Sequence, residues 1–217
     1  REEPWLPLVT TRWRLSQEFA ASKPNVRPAT LMGKPVFSFQ GVRYAYPSET
    51  EPVFSDFSFE LCAHEIVALV GANGSGKSTL LRWIAGLLEG APRPAFEVGY
   101  LPQNPVDFFL SSSLSDEFAM AKVSRAWIDA FGLEPCLARH PSDLSVGQQQ
   151  KAALAILLAK DPGAALLLDE PTHGLDARER ANLAALLRDR AARGGAVIVA
   201  SHDADFLDSI ATRWVRR

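Results

Sequence analysis

Cysteine is scarce in this chain of 217 residues, with only Cys62 and Cys136 present. The two are far apart and form no ligand pair, so neither a disulfide scaffold nor a zinc site is suggested, and a reducing compartment fits. An excess of charge of one sign is also missing. Lys and Arg number 23 against 25 Asp and Glu, a formal net charge of -2, which gives no electrostatic footprint for wrapping nucleic acid. Long apolar runs are absent: Ala152 to Ala159 and Ala164 to Leu168 fall far short of the ~20 residues needed to cross a bilayer. The opening residues do not read as a secretory leader. There are no internal repeats and no low-complexity tracts. What remains is ordinary globular material, 47% apolar and 22% charged, which excludes collagen-like and wholly disordered chains. The length fits one large domain, or one domain with a tail. Arg1 in place of an initiator methionine leads us to expect a processed chain or a piece of a longer polypeptide.

Residues 1–35 are punctuated by Pro4, Pro7, Pro24, Pro28 and Pro35 and read as a linker or tail. Trp13, Leu15 and Phe19 share one face of a short helix starting near Thr10 or Thr11. From Val36 the pattern changes. Val36 to Val42 and Phe57 to Leu61 read as strands, and Ile66 to Val70 as a buried parallel strand entering a glycine-rich turn. A helix is expected from Lys77 to about Leu88 and a strand over Glu97 to Leu101. Residues 113–160 read as helical, broken near Gly132, Pro135 and Pro141. Then come a strand at Ala164 to Leu168, a helix at Ala177 to Ala192, a strand at Ala196 to Ala200 and a helix at Asp203 to Ala211. Strands alternating with helices predict an α/β domain with a parallel sheet, and the middle helical stretch reads as an insertion.

The most informative motif is Gly71-Ala-Asn-Gly-Ser-Gly-Lys-Ser78, which has the G-x-x-x-x-G-K-[ST] pattern between a buried strand and a helix. Its glycines let backbone N–H groups curl around phosphate oxygens, and the helix N-terminus adds its dipole. Lys77 brings a fixed positive charge to β- and γ-phosphates, and the Ser78 hydroxyl is a Mg²⁺ ligand. Asn73, Gly74, Ser75, Gly76, Lys77, Ser78 and Thr79 are therefore the predicted nucleotide contacts. Downstream, Ala164-Ala-Leu-Leu-Leu-Asp-Glu170 delivers two carboxylates to a strand's C-terminal end, where ligands bind in open α/β sheets. Asp169 is the predicted metal ligand, and Glu170 the group that polarises the attacking water.

With these motifs in order, the chain resembles the ATP-binding domain of an ABC transporter over roughly residues 36–211. Leu144-Ser-Val-Gly-Gln148 is similar to the family's L-S-G-G-Q signature, with Val146 replacing the first glycine. The resemblance implies that Ser145, Gly147 and Gln148 face ATP bound by an opposite domain. It also implies that Gln103 senses Mg²⁺ and touches the membrane subunit, that Asp176 in His173-Gly-Leu-Asp176 belongs to the D-loop, and that His202 contacts the γ-phosphate. Tyr46, in Tyr44-Ala-Tyr-Pro47, fits the aromatic that stacks on adenine, with Tyr44 competing for the role. The implied fold is an α/β P-loop NTPase (RecA-like): a parallel sheet core with an N-terminal antiparallel β subdomain and an inserted helical subdomain. On this reading residues 36–217 are the ABC-type domain, with the helical subdomain at about 104–160.

Finer features resemble one branch of the family. Tyr100-Leu-Pro-Gln-Asn-Pro105 followed by Asp107-Phe-Phe109 is similar to the energy-coupling-factor ATPases of cobalt and vitamin import. So are Asp143-Leu-Ser-Val-Gly-Gln148 and Leu167 to Asp176. The stretches from Lys77 to Gln103 and from Gln103 to Leu144 are short for the family, as in the second half of tandem ATPases. The chain stops at Arg217 just after a strand start at Trp214 and Val215, where the family usually continues with a hairpin, so an excised half is expected. The implied activity is ATP hydrolysis coupled to import, with ATP and Mg²⁺ as cofactors. The implied partners are a second ABC ATP-binding domain, as homodimer or sister domain, and an integral membrane subunit, with no nucleic acid. The implied location is peripheral, on the cytoplasmic face of the membrane. Two other readings stand beside it: a soluble ABC ATPase acting on the ribosome or nucleic acid, and a non-hydrolysing regulatory ATP-binding module.

Overall fold

Aromatic and β-branched residues at alternate positions draw the first two strands together. β1 (Pro35–Tyr44) and β2 (Phe54–Cys62) pair antiparallel, with Phe37 opposite Leu61 and Phe39 opposite Phe59. The register slips between Phe39 and Val42, and Asp56 on β2 takes a left-handed φ of 51°, the local kink of a bulge. The computed structural model describes residues 33–47, 49–161 and 163–217. The helix expected near Thr10, with Trp13, Leu15 and Phe19, lies outside the described residues.

The second sheet is wholly parallel. Its strands are β3 (Ile66–Val70), β4 (Val98–Leu101), β5 (Ala165–Asp169), β6 (Val197–Ala200) and β7 (Arg213–Arg216), in the order β4-β5-β6-β3-β7. Ile66 and Ala68 point into one apolar cluster while Val67 and Leu69 point into another, as side chains alternate across a strand. Leu166 and Leu168 divide from Ala165 and Leu167 in the same way. Both faces of the inner strands are buried, which is why they read as unbroken hydrophobic runs.

One face carries α1 (Lys77–Ile84) and the β1–β2 pair. Trp83 on α1 meets Phe39 edge-on at 5.0 Å between ring centroids, and Phe37 stacks on Phe96 at 4.9 Å. Such pairs contribute ≈ 0.5–1.5 kcal/mol each beyond buried area. The other cluster draws on α2 (Leu114–Met120), α3 (Arg125–Ala130), α4 (Val146–Leu158), α5 (Ala177–Ala192) and α6 (Ala204–Ile210).

The end of α1 and the helical insertion differ from expectation. α1 ends at Ile84 rather than near Leu88, because Gly86 at φ 71° closes a Schellman motif: Gly86 N–H donates to Trp83 O and Leu87 N–H to Arg82 O. The insertion has an additional break after Met120, where Lys122 sits at φ 54°. Ser113 then caps α2, its hydroxyl accepting from Asp116 N. The expected strand start at Trp214 is β7, which pairs in parallel with β3 through Ala68 opposite Trp214.

Candidate nucleotide site

The carboxyl ends of β3, β5 and β6 lie side by side, since the three strands are neighbours. The loop after β3 carries Asn73 to Gly76, β5 ends on Asp169, and β6 runs into Ser201 and His202. An open cleft of about 1640 Å³ covers these ends, and Tyr46, Lys77, Gln103, Asp169, Glu170 and His202 all line it. The volume exceeds the ≈ 300–1,000 Å³ of ordinary ligand pockets.

The phosphate loop is built around an uncapped helix. Gly76, the N-cap of α1, adopts φ 89° and no side chain caps its N–H groups. A Cβ at this position would lie 2.6 Å from Val53 Cγ1, so glycine is required both by space and by backbone angle. α4, α5 and α6 are capped by Ser145, Asp176 and Asp203. The orphan N–H groups at the start of α1 therefore remain for an anion. The buried Lys77 folds back over the loop, its ammonium donating to Gly71 O at 2.9 Å and Ala72 O at 3.1 Å. Asn73, Gly74, Gly76, Ser78 and Thr79 line the cleft. Ser75 does not, and its Oγ is buried without a hydrogen-bond partner.

Asp169 is buried at the end of β5. Burial pushes its carboxyl above the ordinary aspartate value, and the Glu170 charge adds to this; a hydrogen bond from Ser78 and the charges of Lys77 and His202 pull the other way. Its Oδ2 has no partner. An oxygen-only pair of Ser78 hydroxyl and Asp169 carboxylate, with a buried orphan oxygen, suits a hard cation that keeps other ligands from water and phosphate.

Glu170 has a left-handed backbone, φ 51°, uncommon for a residue with a side chain. Three backbone bonds hold it: its N–H donates to Ala200 O at 2.8 Å, and its carbonyl accepts from His173 N at 3.2 Å and Gln150 Nε2 at 3.4 Å. Its Oε2 accepts from Ser201 Oγ at 2.8 Å and from His202 N at 3.3 Å, while Oε1 stands 3.7 Å from His202 Nε2. Such strain concentrates at functional sites.

The two tyrosines occupy different surroundings. β1 ends at Tyr44, which is 6% exposed and packs against Phe54. Tyr46 lies beyond the strand, lines the cleft, and shares a hydrogen bond of 3.1 Å with the Thr79 hydroxyl.

The signature segment starts α4. Ser145 Oγ accepts from Gln148 N at 3.3 Å, and Gln148 Oε1 accepts from Ser145 N at 3.0 Å, a reciprocal capping box. Neither bond uses the Ser145 hydroxyl proton. Gly147 is packed so closely on Gly174 that a Cβ would lie 2.5 Å from the Gly174 carbonyl oxygen. Val146, 46% exposed, is the member of this segment that reaches the cleft. Asp176 is not at the cleft either; it caps α5 in a box with Glu179. Sequence reasoning missed Ser201 and Gln150, whose contacts to Glu170 join β6 and α4 to β5. No spacing rule flags them, because both bonds arise only from tertiary packing.

A family model described as ABC transporter matches residues 54–173. An ABC transporter ATP-binding protein of Bifidobacterium longum is 32% identical over 85% of this chain and 29% of its own length. The nickel import ATP-binding protein NikO of Rhodobacter capsulatus is 37% identical over 82% of this chain and 83% of its own length. The chain thus spans less than a third of the first relative and most of the second. A solved ATP-binding subunit of an ABC transporter superposes with a TM-score of 0.72 at 22% identity, covering 82% of this chain and 84% of that one; at that identity the likeness speaks for the fold alone, an α/β domain with a parallel sheet core. No helix among the described residues is long and apolar enough to cross a membrane. A family model covering more than half of the sequence and a relative 37% identical over most of both chains together place this chain in the ABC transporter family, as an ATP-binding domain.

Proposed function

We propose that the chain hydrolyses ATP to power an importer of the energy-coupling-factor type, carrying a metal ion or a vitamin. We read it as one half of a tandem ATPase, with residues 1–35 a linker or tail whose last residue, Pro35, already pairs in β1, residues 36–217 the motor domain, and about 104–160 its helical subdomain. The carrying observation is the convergence of Lys77, Asp169, Glu170 and His202 on one cleft at the ends of adjacent strands. A relative named for nickel import supports the direction of transport.

In this reading the α1 N-terminus and Lys77 hold the β- and γ-phosphates, the ammonium exchanging carbonyl partners for phosphate oxygens. Ser78, Asp169 and Gln103, which all line the cleft, would hold Mg²⁺, and the ion would supply positive charge to those phosphates. Tyr46 stacks on adenine. Glu170 accepts a hydrogen bond from water and draws its proton as the water oxygen bonds to the γ-phosphorus; the bond to the bridging oxygen breaks and ADP leaves. His202 donates to the γ-phosphate. Ser145, Gly147, Gln148 and Asp176 meet ATP held by a second ABC domain, and a membrane subunit docks near Gln103 on the cytoplasmic face. The test is phosphate release by the full-length protein assembled with its membrane subunit, beside the Glu170→Gln variant. In Glu170→Gln, hydrolysis about 10²–10⁴-fold slower than wild type with ATP binding retained is expected; wild-type hydrolysis by that variant refutes the assignment.

A further inference from the structure

We propose that Ser201 is a positioning residue for Glu170, setting which oxygen of that carboxylate faces the reacting water; the inference rests on the hydrolytic reading above. Ser201 is 3% exposed and occupies the turn between β6 and the α6 cap. Its hydroxyl oxygen accepts from Asp203 N at 3.2 Å and its proton goes to Glu170 Oε2 at 2.8 Å. The backbone donor thus fixes the hydroxyl, and the hydroxyl fixes the carboxylate.

The consequence is an asymmetric carboxylate. Oε2 is occupied by two donors, the Ser201 hydroxyl and His202 N–H. Among the described residues Oε1 accepts no hydrogen bond and stands 3.7 Å from the His202 ring nitrogen, so it is the oxygen left to accept from water. The remaining groups around it do not substitute for Ser201. Lys77 is engaged with Gly71 and Ala72 carbonyls, and Asp169 is an acceptor that repels a second carboxylate.

The chain of contacts extends outward. Asp203, whose N–H orients Ser201, is held by Arg180 on α5 at 2.8 Å and caps α6 through Phe206 N at 3.0 Å. Burial acts to raise the Asp203 carboxyl, but the Phe206 N–H and the Arg180 guanidinium outweigh it and hold the group below the ordinary aspartate value. Helix α6 and the reactive carboxylate are thereby connected through one hydroxyl. Without it, the Glu170 carboxylate keeps a single donor, the His202 backbone N–H, and can turn about it, although the Glu170 backbone remains fixed by Ala200, Gln150 and His173.

The experiment uses the full-length protein with its membrane subunit and compares Ser201→Ala, Ser201→Thr, Glu170→Gln and the double variant Ser201→Ala/Glu170→Gln. Misplacing a catalytic group by about 1 Å costs up to 10²-fold, so Ser201→Ala is expected to lower kcat roughly tenfold or more. KM for ATP should stay within about twofold, because phosphate binding does not involve Ser201. Ser201→Thr, which keeps the hydroxyl, should restore kcat. The double variant should be no slower than Glu170→Gln alone, since a residue acting through Glu170 has nothing left to position. Wild-type kcat in Ser201→Ala overturns the proposal. So does an equal kcat loss in Ser201→Thr with an unchanged melting midpoint, or a double variant slower than Glu170→Gln. An active Glu170→Gln would instead refute the hydrolytic reading on which the proposal stands.

Discussion

Replacing Tyr46 and Tyr44 separately by alanine should separate a binding residue from a core residue two positions away. On a strand two such residues share a face, so the sequence treats them alike. In the structure β1 stops at Tyr44. The Tyr44 ring is 6% exposed and lies 5.8 Å from Phe54 and 5.4 Å from Tyr46. Truncating a buried aromatic costs about 3–5 kcal/mol. At about 2–4 °C per kcal/mol for a domain of this size, Tyr44→Ala should lower the melting midpoint by roughly 6–20 °C. Tyr46 is only partly buried and touches the cleft, so its alanine variant should melt within a few degrees of wild type. Losing a stacking platform is worth about 1–3 kcal/mol per base, or about 5–150-fold in ATP dissociation constant at 1.4 kcal/mol per tenfold. Tyr46→Phe isolates the bond to Thr79; a net hydrogen bond contributes about 0.5–1.5 kcal/mol, and the ring should still stack. Calorimetric titration of ATP with differential scanning on the same samples gives both numbers. Unchanged ATP affinity in Tyr46→Ala, or a larger affinity loss in a still folded Tyr44→Ala, would refute the reasoning.

Lys77→Ala should abolish measurable ATP binding in calorimetry, because Lys77 is the cation placed within the phosphate loop; retained affinity would remove it from the site. Burial raises the Asp169 carboxyl, so its charged form costs stability once the pH rises through the folded pKa. Asp169→Asn should therefore raise the melting midpoint of the nucleotide-free protein at neutral pH while losing the Mg²⁺-dependent part of ATP affinity. A lowered midpoint would show that the carboxylate is better satisfied than its orphan oxygen indicates. Glu170→Gln removes one negative charge beside the γ-phosphate and keeps the side chain's shape, so MgATP should shift the protein to a paired species on size exclusion, ATP adding its binding energy to pairing. A variant that stays unpaired with ATP bound counts against the sandwich.

The parts of the fold legible in the sequence are those in which one local pattern decides the outcome. Ile66 to Val70 and Ala165 to Asp169 are buried on both faces, so each reads as an apolar run ending at a turn or a carboxylate. The break near Pro141 is legible from the proline, whereas the α4 start at Val146 is not placed by it, although Ser145 and Gln148 have the spacing of the capping box they form. The end of α1 was overrun because Ala85, Leu87 and Leu88 continue a helical pattern that Gly86 interrupts at a single backbone angle. The break after Met120 escaped notice for a related reason: Lys122 holds a left-handed φ that its side chain does not advertise.

The site follows a different logic, because its decisive bonds cross between strands that are distant in sequence and adjacent in the sheet. Asp169 and Glu170 are visible as a pair, yet their environments diverge. Asp169 continues β5 into the interior, where burial disfavours its charge, whereas the left-handed turn at Glu170 swings the next carboxylate towards β6 and its donors. Two identical functional groups thereby acquire different partners. The same turn leaves an orphan oxygen on Asp169 and strain at Glu170. Neither helps the empty fold, since a buried unsatisfied acceptor costs about 1–3 kcal/mol and a left-handed non-glycine residue a comparable amount. These costs are carried by the strands beneath. Leu166, Leu167, Leu168, Val197 and Val199 are essentially inaccessible to water, and each fully buried aliphatic side chain returns about 1.5–3 kcal/mol. A sheet this apolar tolerates an orphan carboxylate oxygen and a strained residue at the carboxyl end of an inner strand. The arrangement is intelligible if a cation and phosphates supply the missing partners, so that ligand binding relieves what folding alone leaves unsatisfied.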